Sequence, residues 1–159
     1  MNLTCIHHKN FFEAFFPNSS SLHCFSTHGL DEYTFLHLLV GVGAKILFPK
    51  IPIIILLAMH IFWEYFETTS IMKKIFRSNT FLNGGTSTYY GDSIMNSTTD
   101  NIAFLIGIFL QKSLQWNIKQ FLVVFIISNL IVIYFSSKRF DKNNFTYALN
   151  NQNTVEDRF

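Results

Sequence analysis

The stretch Tyr89-Tyr90-Gly91-Asp92-Ser93-Ile94-Met95-Asn96-Ser97-Thr98-Thr99-Asp100 leads into Ile102-Ala103-Phe104-Leu105-Ile106-Gly107-Ile108-Phe109-Leu110, and that junction decides how the chain is read. The second block has the continuous apolar character of a helix at home in hydrocarbon. The first places Asp92, Asn96 and Asp100 four residues apart. In a helix each step of four turns the face by only about 40°, so the three point the same way at intervals of about 6 Å. Two carboxylates and an amide at the mouth of a membrane helix are costly unless they face protein, water or a ligand, which marks a functional site.

The whole composition agrees with this reading. A length of 159 residues suits one compact domain. Hydrophobic residues make up 49% and charged residues 14%, with 19 Phe; ordinary globular chains carry roughly 25% charged residues. The apolar residues fall in long blocks between short polar segments, the pattern of membrane helices rather than of alternating strands. The expected fold is an all-α, polytopic membrane helical bundle of about four transmembrane helices, surrounded by the lipid bilayer. A formal net charge of +2, without a Lys/Arg-rich block away from the juxtamembrane segments, argues against a nucleic acid partner. Cys5 and Cys24 both lie near the N-terminus and are too few to imply a disulfide framework.

Residues 1–28 read as a polar, His-rich N-terminal tail interrupted by Phe11-Phe12-Glu13-Ala14-Phe15-Phe16-Pro17. That apolar piece is too short for a span and lacks the flanks of a signal peptide. Cys5, His7, His8, His23, Cys24 and His28 match no finger-like zinc spacing. Residues 29–136 hold the bundle, with spans near 31–48, 53–70, 92–111 and 119–136. In the first span, Asp31 and Glu32 stand where carboxylates suit a helix N-terminus, and Gly41 and Gly43 would let another helix approach closely. His37 reads either as a hydrogen-bonded packing residue or as a functional one. Pro49-Lys50-Ile51-Pro52 makes a turn into the second span. That span carries His60, Glu64 and Glu67, spaced four and three on one face. Two carboxylates so placed should not both be ionised unless a cation, a metal or Arg is near. Lys73, Lys74 and Arg77 follow, and Ser78 to Thr88 is a loop by composition. A break around Ser113 to Asn117 precedes the fourth span, which reads as a packing helix. Residues 137–159 begin basic and become Asn-rich, the composition of a disordered C-terminal tail.

With four spans, Lys9, Lys73, Lys74, Arg77, Lys138, Arg139 and Lys142 share one side, against Lys45, Lys50, Lys112 and Lys119 opposite. The positive-inside rule makes the richer side cytoplasmic and puts both termini there. His37, Glu64, Glu67, Arg77, Asp92, Asn96 and Asp100 then converge on one end of the bundle. One reading is a shared polar pocket; the other is a set of interfacial helix ends satisfied by water and nearby basic residues. A pocket suits two chemistries. His37, Glu64, Glu67 and Asp92 could ligate a divalent metal that neutralises the carboxylates and binds a phosphate-bearing lipid. Alternatively a protonated Glu64 or Glu67 could act as general acid or proton carrier, with Arg77 pairing its neighbour or an anionic substrate. Glu64, Glu67, Asp92 and Asp100 are the catalytic candidates on either account. No nucleophile motif, phosphate-binding Gly loop or HExxH helix narrows the reaction further.

These residues carry a family resemblance. Trp63-Glu64-Tyr65-Phe66-Glu67, Arg77, Tyr90-Gly91-Asp92-Ser93-Ile94-Met95-Asn96-Ser97, Asp100 and Gly107, with Asp31-Glu32-Tyr33-Thr34-Phe35-Leu36-His37 upstream, resemble the bacterial integral membrane proteins of domain-of-unknown-function family 2585. The likeness covers about Asp31 to Phe135. Thr68 stands where that family favours Asn, Val40 replaces a second His, and the Ser78–Thr88 segment is longer. The residue order is also loosely similar to VanZ-like membrane proteins. The resemblance implies a site that includes Arg77, Tyr90, Ser93 and Asn96 as substrate-binding residues, but no defined reaction. The expectation is a multi-pass membrane protein with an acidic/His pocket at its cytoplasmic face that binds or acts on a lipid-linked or amphipathic molecule. The alternative is a non-catalytic scaffold or assembly subunit in which the same polar residues fix helix packing.

Overall fold

The computed structural model describes residues 29–78 and 92–139; the expected N-terminal tail, the loop after Ser78 with Tyr90, and the tail beyond Arg139 lie outside the described residues. Within them the protein is all-helical: α1 Glu32–Leu47, α2 Ile53–Glu67, α3 Ser70–Ser78, α4 Ile94–Leu114 and α5 Ile118–Arg139. Among the described residues no helix is long and apolar enough to cross a membrane.

Local chemistry sets the helix ends. Asp31 caps α1, its Oδ1 accepting from the Tyr33 and Thr34 backbone N–H groups at 2.9 and 3.0 Å, while the Asp31 N–H donates to Thr34 Oγ1. This reciprocal box satisfies donors that a helix start leaves open. Pro52, with its fixed φ, leads into α2. α2 ends at Glu67 rather than near residue 70, because Thr68 and Thr69 turn their hydroxyls onto the Tyr65 and Phe66 carbonyls. The chain then restarts as the short basic helix α3, over a segment to which the apolar pattern assigns no element. At the start of α4, Ser93 Oγ accepts from the Asn96 N–H at 3.0 Å. Asp92 therefore precedes the helix instead of forming its first turn. Gln115, at φ 48, ends α4, and Asn117 Oδ1 accepts from the Lys119 and Gln120 N–H groups to open α5.

Packing centres on α1. It runs parallel to α4, as the pairs Asp31–Asn96, His37–Asp100 and Gly41–Phe104 progress together along both chains. α5 lies on α1 and α2 on α4, so the lateral order is α5, α1, α4, α2. The α1–α4 contact depends on two glycines: a Cβ on Gly41 would land on the Phe104 carbonyl, and one on Gly107 would land on the Leu38 carbonyl. Gly43 likewise leaves space for the Phe121 ring of α5. The close approach expected for Gly41 and Gly43 is thus present, with Gly107 as the reciprocal half. Around it are two apolar clusters, Leu39–Val42–Phe121 and Leu56–Phe104–Ile108. They fill the half of the bundle away from the polar end.

Candidate metal centre

The N-terminal half of α1, the C-terminal half of α2 and the start of α4 meet at one end and enclose the polar residues. His37 Nδ1 lies 3.0 Å from His60 Nε2 and 3.2 Å from Glu64 Oε1, and His60 Nε2 lies 3.6 Å from the same oxygen. A tetrahedral centre with bonds of about 2.0–2.1 Å places its ligand atoms about 3.3 Å apart. The triangle has the edges that such a centre needs.

Protons on the two imidazoles are set from outside the triangle. Asn101 Nδ2 donates to the Ser97 carbonyl at 2.7 Å, which fixes the amide and turns Asn101 Oδ1 toward His60 Nδ1 at 2.9 Å. An amide oxygen accepts, so His60 Nδ1 carries the hydrogen and Nε2 presents its lone pair to the centre. On the other ring, His37 Nε2 faces Asp100 Oδ2 at 3.8 Å. With His60 Nε2 presenting its lone pair, the 3.0 Å contact holds a hydrogen when His37 is protonated at Nδ1. When that nitrogen also presents its lone pair, a cation can take the place of the hydrogen between the two imidazoles and Glu64 Oε1. Stacking of His60 on the Phe104 ring, with centroids 4.1 Å apart, holds the imidazole plane in place.

Further acids adjoin this triangle. Both oxygens of Glu64 and Asp100 Oδ1 are buried without a partner at full hydrogen-bond geometry, with the Ser97 hydroxyl beside the Glu64 carboxylate and that of Thr34 beside Asp100. Glu64, Glu67 and Asp92 each offer an oxygen within 4.8 Å of the others, so Glu64 belongs both to the His37–His60–Glu64 group and to an all-carboxylate group. Asn96, buried, donates from Nδ2 to Asp31 Oδ2 at 3.4 Å and so ties α4 to the cap of α1.

The residues expected from the sequence fall into three sets. His37, Glu64, Glu67, Asp92 and Asp100 are brought together, and Asn96 borders them. Ser93 serves the start of α4 through its hydroxyl. Arg77 lies on α3 with its side chain outside the described atoms, and Tyr90 is outside the described residues. His60 and Asn101 also belong to the site, although residue spacing alone gives them no role. His60 carried a usable signal, being one turn before Glu64 on the same face; Asn101 carried none, since its role depends on which helix packs beside it.

Comparison with known proteins places the chain. No solved structure matches it. A UPF0314 protein of Brucella anthropi is 33% identical over 117 residues, a match covering 68% of this chain and 58% of that relative, so the chain spans less than two thirds of the relative's length. The family model described as "Protein of unknown function (DUF2585)" matches residues 10–141, and with that coverage the chain belongs to the DUF2585 family.

Proposed function

We propose that this protein is a multi-pass membrane bundle whose polar end holds a divalent metal and binds or acts on a lipid-linked or amphipathic substrate. The observation that carries the metal is the convergence of His37 Nδ1, His60 Nε2 and Glu64 Oε1 with their outward nitrogens facing Asp100 and Asn101. Two imidazoles and one carboxylate suit a transition metal of the zinc class and leave a coordination position for water or substrate. Such a centre would supply Lewis acidity at the lipid headgroup level. Around it Asn101 fixes the His60 imidazole, Asp100 faces that of His37 at 3.8 Å, and Asn96 ties α1 to α4.

The membrane reading is supported by an inverted distribution of polarity. Glu64, Asn96 and Asp100 are only 2%, 1% and 2% exposed, whereas Ile54, Phe62 and Tyr65 are 70%, 67% and 71% exposed. Apolar side chains also cover the outer faces of α4 and α5, including Ile102, Phe109, Val123 and Leu130. A water-soluble fold does the reverse, keeping acids outside and large apolar side chains inside. At 1.5 Å per residue α4 and α5 measure about 31 and 33 Å, enough for a bilayer core. α1 and α2 measure only about 24 and 22 Å, which on this reading favours a polar end near the interface, within reach of headgroups and water.

The test starts from membranes washed at alkaline pH, which should retain the chain. Elemental analysis of detergent-purified protein should then find about one equivalent of metal in the wild type and almost none in Glu64→Gln of unchanged helicity. In mixed micelles, metal-dependent turnover or binding of a short-chain lipid phosphate should vanish in the same variant. Release from the membrane would overturn the bilayer placement. Metal absent from both proteins, or retained equally in both, would overturn the centre and leave the scaffold reading, in which Glu64→Gln lowers only assembly.

A further inference from the structure

We infer that a second, harder cation binds at Glu64, Glu67 and Asp92, sharing the Glu64 carboxylate with the His37–His60–Glu64 centre. The inference rests on the metal centre proposed above and extends it to a two-cation site. Its first ground is topological: Glu64 and Glu67 sit one turn apart on α2, and Asp92, just before the cap of α4, reaches across the helix boundary to them. One oxygen from each lies within 4.8 Å of the other two. Acidic clusters occur without any ligand, so proximity alone would decide nothing.

The second ground is Glu64 itself. It is among the most deeply buried side chains of the protein, yet neither of its oxygens has a partner at full hydrogen-bond geometry, the Ser97 hydroxyl being the neutral donor beside it. The imidazole triangle accounts for Oε1, which faces His37 and His60. Oε2 is left over, buried, and belongs to a side chain shared with the carboxylate group. A carboxylate that bridges two cations uses one oxygen for each, an arrangement that gives both buried oxygens a partner.

The two halves differ in donor chemistry. The inner one offers two nitrogens and an oxygen, which suits zinc-class ions; the outer one offers only oxygens, which suits magnesium, manganese or calcium. Glu67 and Asp92 are half-buried, whereas Glu64 and His60 are buried, so the outer cation is the one open to an incoming ligand. Two cations on one bridging carboxylate lie about 4 Å apart, the spacing at which paired metals clamp a phosphoryl group. The substrate class is therefore a phosphate ester carried on a lipid.

Titration of zinc-loaded, detergent-purified protein with manganese, followed by electron paramagnetic resonance, tests this directly. The expected result is one manganese per chain in addition to one zinc. Glu67→Gln combined with Asp92→Asn should weaken manganese at least tenfold while zinc stays stoichiometric, and Glu64→Gln should lose both. Should the double variant fail to fold, Asp92→Asn alone carries the same expectation at smaller amplitude. Wild type that holds zinc but no specific manganese, or manganese binding unchanged in the variants, overturns the second site and leaves the first intact. A wild type without zinc refutes the first centre instead.

Discussion

The two halves of the α1–α4 pair are built on opposite rules. At the apolar end Gly41 and Gly107 let two backbones touch, and Val42, Ile108, Leu56 and Phe121 fill the surrounding space. The polar exception there is Gln111, which donates to the Trp116 carbonyl and leaves its own Oε1 without a partner. At the polar end the same two helices enclose Asp100, Asn96 and His37 and, with α2, His60 and Glu64, and leave carboxylate oxygens buried without a partner at full hydrogen-bond geometry. Burying such groups unpaired costs free energy, so a sequence selected only for stability would not place them there. The apolar end holds the helices at a fixed distance, and the proposed centre would use that rigidity to keep its ligating groups in place.

That contrast breaks most readily at the glycines. Gly107→Val puts methyl groups on the Leu38 carbonyl, which belongs to a helix backbone and cannot rotate away. A loss of about 3 kcal/mol or more is expected, seen as a collapse of folded yield by size-exclusion chromatography. Glu64→Gln in metal-free protein should move the unfolding midpoint little or upward, since it removes a buried carboxylate. If both substitutions destabilised the protein equally, the two ends would be equivalent parts of one structural core.

Asn101→Leu sharpens the comparison with a smaller effect. Its amide oxygen fixes the hydrogen of His60 on Nδ1, and outer-shell partners of this kind are worth roughly 10–100-fold in metal affinity. Chelator competition should therefore show a weakening within that range, with helicity unchanged by circular dichroism. Unchanged affinity would mean that the tautomer of His60 is set elsewhere.

How much of this was legible follows from what each residue needs in order to be understood. The helices were legible because apolar blocks, Pro52 and the acidic start at Asp31 act locally. Gly41 and Gly43 announced close packing, though not that Gly107 and Phe121 would be the groups received. The end of α2 at Glu67 and the helix α3 beyond it were not legible, because they depend on Thr68 and Thr69 bending back onto the preceding carbonyls, a choice those residues make in some helices and not in others. Regular spacing suggested that Asp92 shares a helical face with Asn96 and Asp100; Ser93 takes the cap position instead and leaves Asp92 ahead of the helix. His37, Glu64, Glu67, Asp92 and Asp100 stood out as polar residues in apolar surroundings, and the fold brings them together. His60 and Asn101 did not stand out as a pair, since they lie 41 residues apart and only the packing of α2 on α4 joins them.

Zinc K-edge X-ray absorption on the zinc-loaded protein tests the central claim most directly. The expected spectrum has a first shell of nitrogen and oxygen at about 2.0–2.1 Å, with the outer scattering of two imidazoles, and is lost in His60→Ala. A first shell containing sulfur at about 2.3 Å would contradict it, because it would assign the metal to Cys5 or Cys24 and leave the polar end of the bundle without one.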